Sequence, residues 1–268
     1  MMSSKMNLIY RPFLFYFLVY LLSWSCWSFA AYYSYRPDNK VAMVVCALLG
    51  LLGPFIAAIM MIFISGDKRI IQDYRRRLFS VSSITWKSLL FIVSAILLTL
   101  IVATVISVLF GFSVEQFRFS SGFFAMLPVA IVAALLEELG WRTYGVDSLQ
   151  SNKSMLSATL LFAVLWGIWH IPLFFINQTY QQGLYQLGWL YVVNFFVSIF
   201  PAAILANWFY YKSARSIPAG VFFHFMLVAT AELFQTDPQT KWIITILLLA
   251  VCIRLIVVER SFFLNRID

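Results

Sequence analysis

The stretch from Ala133 to Arg142, AALLEELGWR, constrains this chain more than any other. It sets two adjacent carboxylates, and an arginine one turn later, inside a run apolar enough to lie in a bilayer. An ionisable side chain at that depth costs a few kcal/mol even on the lenient insertion scale, so a cluster of them marks a functional site by default. The chain has only two histidines, His170 and His224, and both also fall inside apolar runs.

Apolar residues make up 62% of the 268 and charged residues 11%, which leaves no solvated shell for a globular domain. The reading is all-α: one integral membrane domain over 1–268, a polytopic bundle of transmembrane helices. Spanning takes about 20 apolar residues. About eight runs approach that length, near 12–34, 42–65, 88–110, 122–146, 155–176, 187–210, 218–235 and 242–258. The first run follows Lys5 and Arg11 and reads as a retained span. Cys26, Cys46 and Cys252 are widely spaced in apolar segments, without a metal-type pair, and read as packing residues.

A net charge of +8 raises nucleic acid as a partner, but the basic residues cluster in loops between apolar runs, and membrane orientation accounts for them. With the amino terminus inside, fifteen of the nineteen lysines and arginines fall on the inner side, leaving Arg36, Lys40, Arg118 and Lys241 outside. That bias predicts both termini in the cytoplasm. The loop from Gly66 to Trp86 sets Lys68, Arg69, Arg75, Arg76 and Arg77 against Asp67 and Asp73, and reads as a solvated anchor on anionic lipid headgroups. Membrane lipids are thus the first partners expected. Short loops and the lack of an organellar targeting segment point to a bacterial cell (inner) membrane.

Glu138 and Arg142 are four apart on one helix face and can pair, whereas Glu137 points about 100° away. One carboxylate is neutralised and the other is left over, so Glu137 is the candidate general base. A purely structural ion cluster is the competing reading, weakened because buried pairs add little net stability. His170 alone reads equally well as a satisfied core residue. Its company within the membrane is the evidence, since imidazole is the usual partner of a carboxylate in proton transfer. Trp166 lies one turn before it on the same face. Helix rise puts Glu137 about 12 Å and His170 about 23 Å from the inner ends of their runs. These depths agree only if the fourth run continues as a helix toward Gln150, the fifth starts later, or the chain bends at Pro172.

The motifs EExxxR (Glu137, Glu138, Arg142), aromatic-xxx-His (Trp166, His170) and a third histidine (His224), preceded by Ser216-Ile217, together resemble those of the CAAX prenyl protease and bacteriocin-processing family of intramembrane proteases, also called CPBP or Abi. The likeness covers a core at about 122–235. It implies an endopeptidase that cuts a membrane-bound peptide or protein tail, CAAX-type or of the bacteriocin or pheromone type. Glu137 and His170 would activate water, His224 would help hold the oxyanion, and Glu138, Arg142 and Trp166 would support them. The family usually has an asparagine four residues after the third histidine. Here that position is Val228, which cannot donate a hydrogen bond, and Asn207, Asn194 and Thr230 are the stand-ins. Members are often labelled metalloproteases, so zinc held by Glu137, Glu138, His170 and His224 is an open alternative. The other class to weigh is a non-catalytic scaffold, for example for peptide immunity, or a transporter using the same buried groups.

Overall fold

Within hydrocarbon a backbone satisfies its own polar groups only as a helix or a closed barrel, and long apolar runs without strand alternation choose the helix. The computed structural model describes residues 10–111, 123–233 and 237–265, and among these residues all regular structure is helical. Helix α1 (Pro12–Ser34) is followed by α2 (Lys40–Leu51) and α3 (Gly53–Ile64), which meet at a 41° bend. The expected run 42–65 is therefore broken, at the point where Gly53-Pro54 removes a backbone donor. A short helix, α4 (Lys68–Leu78), is capped by the Asp67 side chain, which accepts from the Arg69 backbone N–H. Next come α5 (Trp86–Leu109) and α6 (Phe123–Gly140).

The helix does not stop at Gly140. It passes through a π-helical turn (Trp141–Gly145) into α7 (Val146–Gln150), so about 28 residues run on nearly without interruption. This resolves the depth conflict in favour of a fourth run that reaches Gln150: Glu137 lies about 20 Å from the Gln150 end of the helix, comparable to His170. Helix α8 (Met155–Trp169) ends one residue before His170, and a 3-10 turn (Ile171–Phe175) containing Pro172 follows. The rest is α9 (Tyr180–Leu187), α10 (Trp189–Lys212), α11 (Ile217–Leu233), α12 (Pro238–Val258) and α13 (Arg260–Leu264).

Five segments are long and apolar enough to cross a membrane: α1, α5, Met155–Phe175, α10 and α12. The bent pair α2–α3 makes a sixth. Helices α6 and α11 carry the ionisable residues and pack directly against each other. Helix α3 packs on the other side of α6, and α8 packs on α10. Two apolar clusters result. One gathers α1, α3, the π turn and α8 around Trp141, Phe162 and Trp169; the other joins α5, α10, α11 and α12 around Phe209, Phe223 and Cys252. The close α3–α6 approach depends on Gly140, where a Cβ would lie 2.3 Å from the backbone carbon of Pro54. Small residues let membrane helices meet at this distance, and Gly140 supplies this contact.

Candidate active site

Glu137 and Glu138 are both buried, and their neighbours differ as their positions on the helix require. Glu138 Oε2 lies 2.6 Å from Arg142 Nε, the ion pair that the four-residue spacing sets up. Arg142 also donates from Nη1 to Asn207 Oδ1, while Asn207 donates from Nδ2 to Thr159 Oγ1 at 2.9 Å. Its guanidinium sits 5.1 Å over the Phe162 ring. The second oxygen of Glu138, Oε1, is 3.1 Å from His224 Nδ1. Helix α11 comes this close because residue 220 is glycine: a Cβ there would stand 2.7 Å from Glu138 Oε2 and 3.0 Å from Arg142 Cγ.

Glu137 faces the other way. Its Oε2 accepts from two indoles, Trp166 Nε1 at 3.2 Å and Trp141 Nε1 at 3.3 Å. Its Oε1 lies 4.0 Å from His224 Nε2. That distance is too long for a direct hydrogen bond and suits a shared intervening oxygen. The indoles thus hold one carboxylate oxygen and leave the other turned toward the imidazole.

His170 sits where α8 ends. Its Nδ1 is 2.7 Å from the Trp166 carbonyl oxygen, which can only accept, so Nδ1 carries the proton and Nε2 keeps a lone pair in the neutral ring. The Trp166 ring centroid lies 5.7 Å from that of His170 and 5.8 Å from that of His224. Trp166 is therefore the common neighbour of all three groups. Among the described residues no hydrogen bond joins Glu137 directly to His170; the imidazole nearest Glu137 is His224.

The stand-ins for the asparagine missing at Val228 separate clearly. Asn207 is spent on Arg142 and Thr159. Thr230 Oγ1 bonds back to carbonyls of its own helix, Met226 at 2.7 Å and Leu227 at 3.1 Å. Asn194 is buried, and its Oδ1 has no hydrogen-bond partner among the described residues.

Zinc needs three or four nitrogen or oxygen donors converging at about 2 Å. Among the described residues no group of three or more His, Cys, Asp or Glu side chains converges in that way. Glu138 is spent on Arg142 and on His224 Nδ1, and Glu137 Oε2 is held by two indoles. This donor set does not fit the metal.

A second buried cluster lies at the Gln150 end of the α6–α7 helix, where no motif pointed. Arg77, Asp147, Tyr210 and Tyr211 meet Arg215 and Asp73 there. Arg77 is only 1% exposed, so the basic loop is not a solvated anchor along its whole length: Lys68, Arg69, Arg75 and Arg76 are exposed as expected, but Arg77 points inward. The seven-residue step from Ile70 through Tyr74 to Arg77 places all three on one face of α4, the one signal in the sequence that would have shown it.

Fold and site together define an integral membrane protein whose acidic and imidazole side chains are enclosed by its own helices, the arrangement of a membrane-embedded enzyme. Residues 119–230 match the family described as type II CAAX prenyl endopeptidase Rce1-like. The chain is also 32% identical over 264 residues to CAAX prenyl protease 2 of Methanococcus maripaludis, covering 96% of this chain and 97% of that protein. This chain belongs to the type II CAAX prenyl endopeptidase Rce1-like family.

Proposed function

We propose that this protein hydrolyses a peptide bond in a membrane-associated peptide or protein tail, using water activated at Glu137. The carrying observation is the 4.0 Å separation of Glu137 Oε1 and His224 Nε2, because one substrate or water oxygen beside the line joining them is within hydrogen-bond distance of both. Glu137 takes the proton of the attacking water. The hydroxyl adds to the scissile carbonyl carbon, and the carbonyl oxygen becomes the oxyanion. His224, braced through Nδ1 by Glu138, donates from Nε2 to that oxygen in its charged form. As the oxyanion collapses and the C–N bond breaks, the proton on Glu137 passes to the departing amine and restores the carboxylate, while the His170 Nε2 lone pair takes the remaining proton of the new carboxyl group and gives it up to the amine or to solvent. All the donors and acceptors in this sequence are side chains of the chain itself, so activity is expected to survive a chelator.

A CAAX-type tail is the preferred substrate class, supported by the family and by the name of the archaeal relative. Bacteriocin- or pheromone-type peptides are the second class. We also propose eight crossings, made by α1, the α2–α3 pair, α5, α6, α8, α10, α11 and α12. Both termini then lie in the cytoplasm, a reading that the distribution of lysine and arginine supports. The membrane we assign is the cell membrane of a prokaryote.

The test is cleavage of a prenylated CAAX-type peptide by purified protein in proteoliposomes, with the bacteriocin-type peptide and the unprenylated peptide alongside. Wild type is expected to cut, and Glu137→Ala and His170→Ala to lose activity by at least about 10²-fold. Cleavage by both variants at the wild-type rate would remove Glu137 and His170 from the chemistry, and failure of wild type to cut any of the three peptides would overturn the hydrolytic reading in favour of a scaffold.

A further inference from the structure

The cluster at the Gln150 end has a geometry beyond that of an anchor. A π turn displaces backbone carbonyls from the regular helix ladder, and such turns recur at functional sites. In the turn Trp141–Gly145, immediately after the carboxylate pair, the Arg142 carbonyl accepts from Arg77 Nη1 at 3.1 Å and from the Tyr210 hydroxyl at 2.7 Å. The Thr143 carbonyl accepts from Arg77 Nη2 at 3.3 Å. Arg77 Nη1 also reaches Asp147 Oδ2 at 2.8 Å and the Tyr210 oxygen at 2.6 Å, and Arg77 Nε lies 2.9 Å from Asp73 Oδ2. One fully buried guanidinium from α4 thus grips the backbone of Arg142, whose side chain grips Glu138, whose other oxygen grips His224.

We infer that Arg77 is a positioning residue for the catalytic centre: with Tyr210 it fixes the π turn, and through Arg142 and Glu138 it sets the placement of His224. The inference rests on the hydrolytic reading above. A neutral replacement takes the Arg77 donor from both π-turn carbonyls, leaving that of Arg142 held by Tyr210 alone, and lets Arg142 shift along the helix axis. Loss of a partner that orients a reacting group from behind is expected to cost about 10- to 100-fold in activity, since a misplacement of about 1 Å can cost about 10²-fold. Lysine at 77 supplies a charge but not the planar fork that reaches both carbonyls and both aspartates, so it restores only part of the loss.

The experiment is a double-mutant cycle on peptide cleavage with kcat and KM determined separately. Arg77→Ala is expected to lower kcat about tenfold or more, with KM within about twofold, and Tyr210→Phe to lower it less. In a Glu138→Gln background Arg77→Ala is expected to cost little more, because the route to His224 is already cut. Additive losses in the double variant, or a wild-type kcat in folded Arg77→Ala, would overturn the inference. Should Arg77→Ala fail to fold, Tyr210→Phe decides by itself, an unchanged kcat counting against the inference. Should wild type cleave nothing, the hydrolytic reading fails instead. Amide exchange then tests the clamp alone: faster exchange across residues 141–150 in Tyr210→Phe is expected, and unchanged exchange there sinks it.

Discussion

At the scale of single residues, the candidate site leaves a carboxylate few alternatives. Glu137 Oε2 is saturated by two indole donors, so the remaining oxygen has one direction in which to act. Trp166→Phe keeps the ring volume and deletes one of those donors. Freed from one restraint, the carboxylate samples orientations away from the 4.0 Å gap, and cleavage is expected to fall about 10-fold or more with little change in melting temperature. A wild-type rate in that variant would mean that the indole only fills space. Much of this site was legible in the sequence, because helical spacing alone pairs Glu138 with Arg142 and turns Glu137 away. Trp141 follows the same logic: it lies four residues after Glu137, on the same face, and its N–H was there to be counted. What spacing could not supply was the choice of imidazole. His224 comes from a helix 87 residues downstream of Glu137, and only tertiary packing at Gly220 sets it beside both carboxylates.

At the scale of elements, the packing of α6 decides whether the site exists. Helix α3 crosses α6 at Gly140, two residues from Glu138, with no space for a methyl group: the nearest Pro54 atoms are backbone carbon at 2.3 Å, Cβ at 2.5 Å and carbonyl oxygen at 2.5 Å. Backbone cannot yield by changing rotamer. Gly140→Ala is therefore expected to destabilise the protein by about 2–3 kcal/mol, toward the upper end for overpacked cores, and to reduce activity with it. Thermal melting in detergent checks this, and an unchanged transition would show that α3 moves freely. The same helices explain why element lengths were easier to read than their arrangement. A span that is apolar all round announces that it crosses the membrane but carries no stripe to say which face meets a neighbour. Helix α4 is the contrast: it is amphipathic, and its inward face held the Arg77 that a count of loop charges assigned to the lipid surface.

At the scale of the molecule, Asp147 fastens one end of the helix bundle. It receives Arg77 from α4, the Tyr211 hydroxyl at 2.7 Å and the Tyr210 hydroxyl at 3.2 Å from α10, and Arg215 from the loop leading into α11. That loop holds Ala214 and Arg215 at φ of 51° and 62°, left-handed values that cost side-chain-bearing residues about 1 kcal/mol each and persist only where contacts enforce them. The 28 or so residues from α6 through α7 span about 42 Å, more than the roughly 30 Å hydrocarbon core, and in the eight-crossing arrangement proposed above Asp147, on α7 after the crossing helix α6, lies past the lipid tails. Burial alone would push its carboxyl up, but Arg215 and Arg77, with the hydrogen bonds from Arg215 and Tyr211, hold it below the ordinary carboxylate value. A carboxyl depressed in the folded state contributes stability that is fully present above its unfolded value, near 3.9, and is lost as pH falls through the lower folded value. Melting temperature is therefore expected to hold level down to about pH 4 and then drop, while Asp147→Asn melts lower at neutral pH and loses less on acidification. Parallel acid profiles for the two proteins would show that some other carboxylate closes this end of the bundle. Because the same aspartate touches α4, α10 and the approach to α11, its protonation should release the π turn and the His224 helix together, and cleavage should decline no later than the melting temperature does.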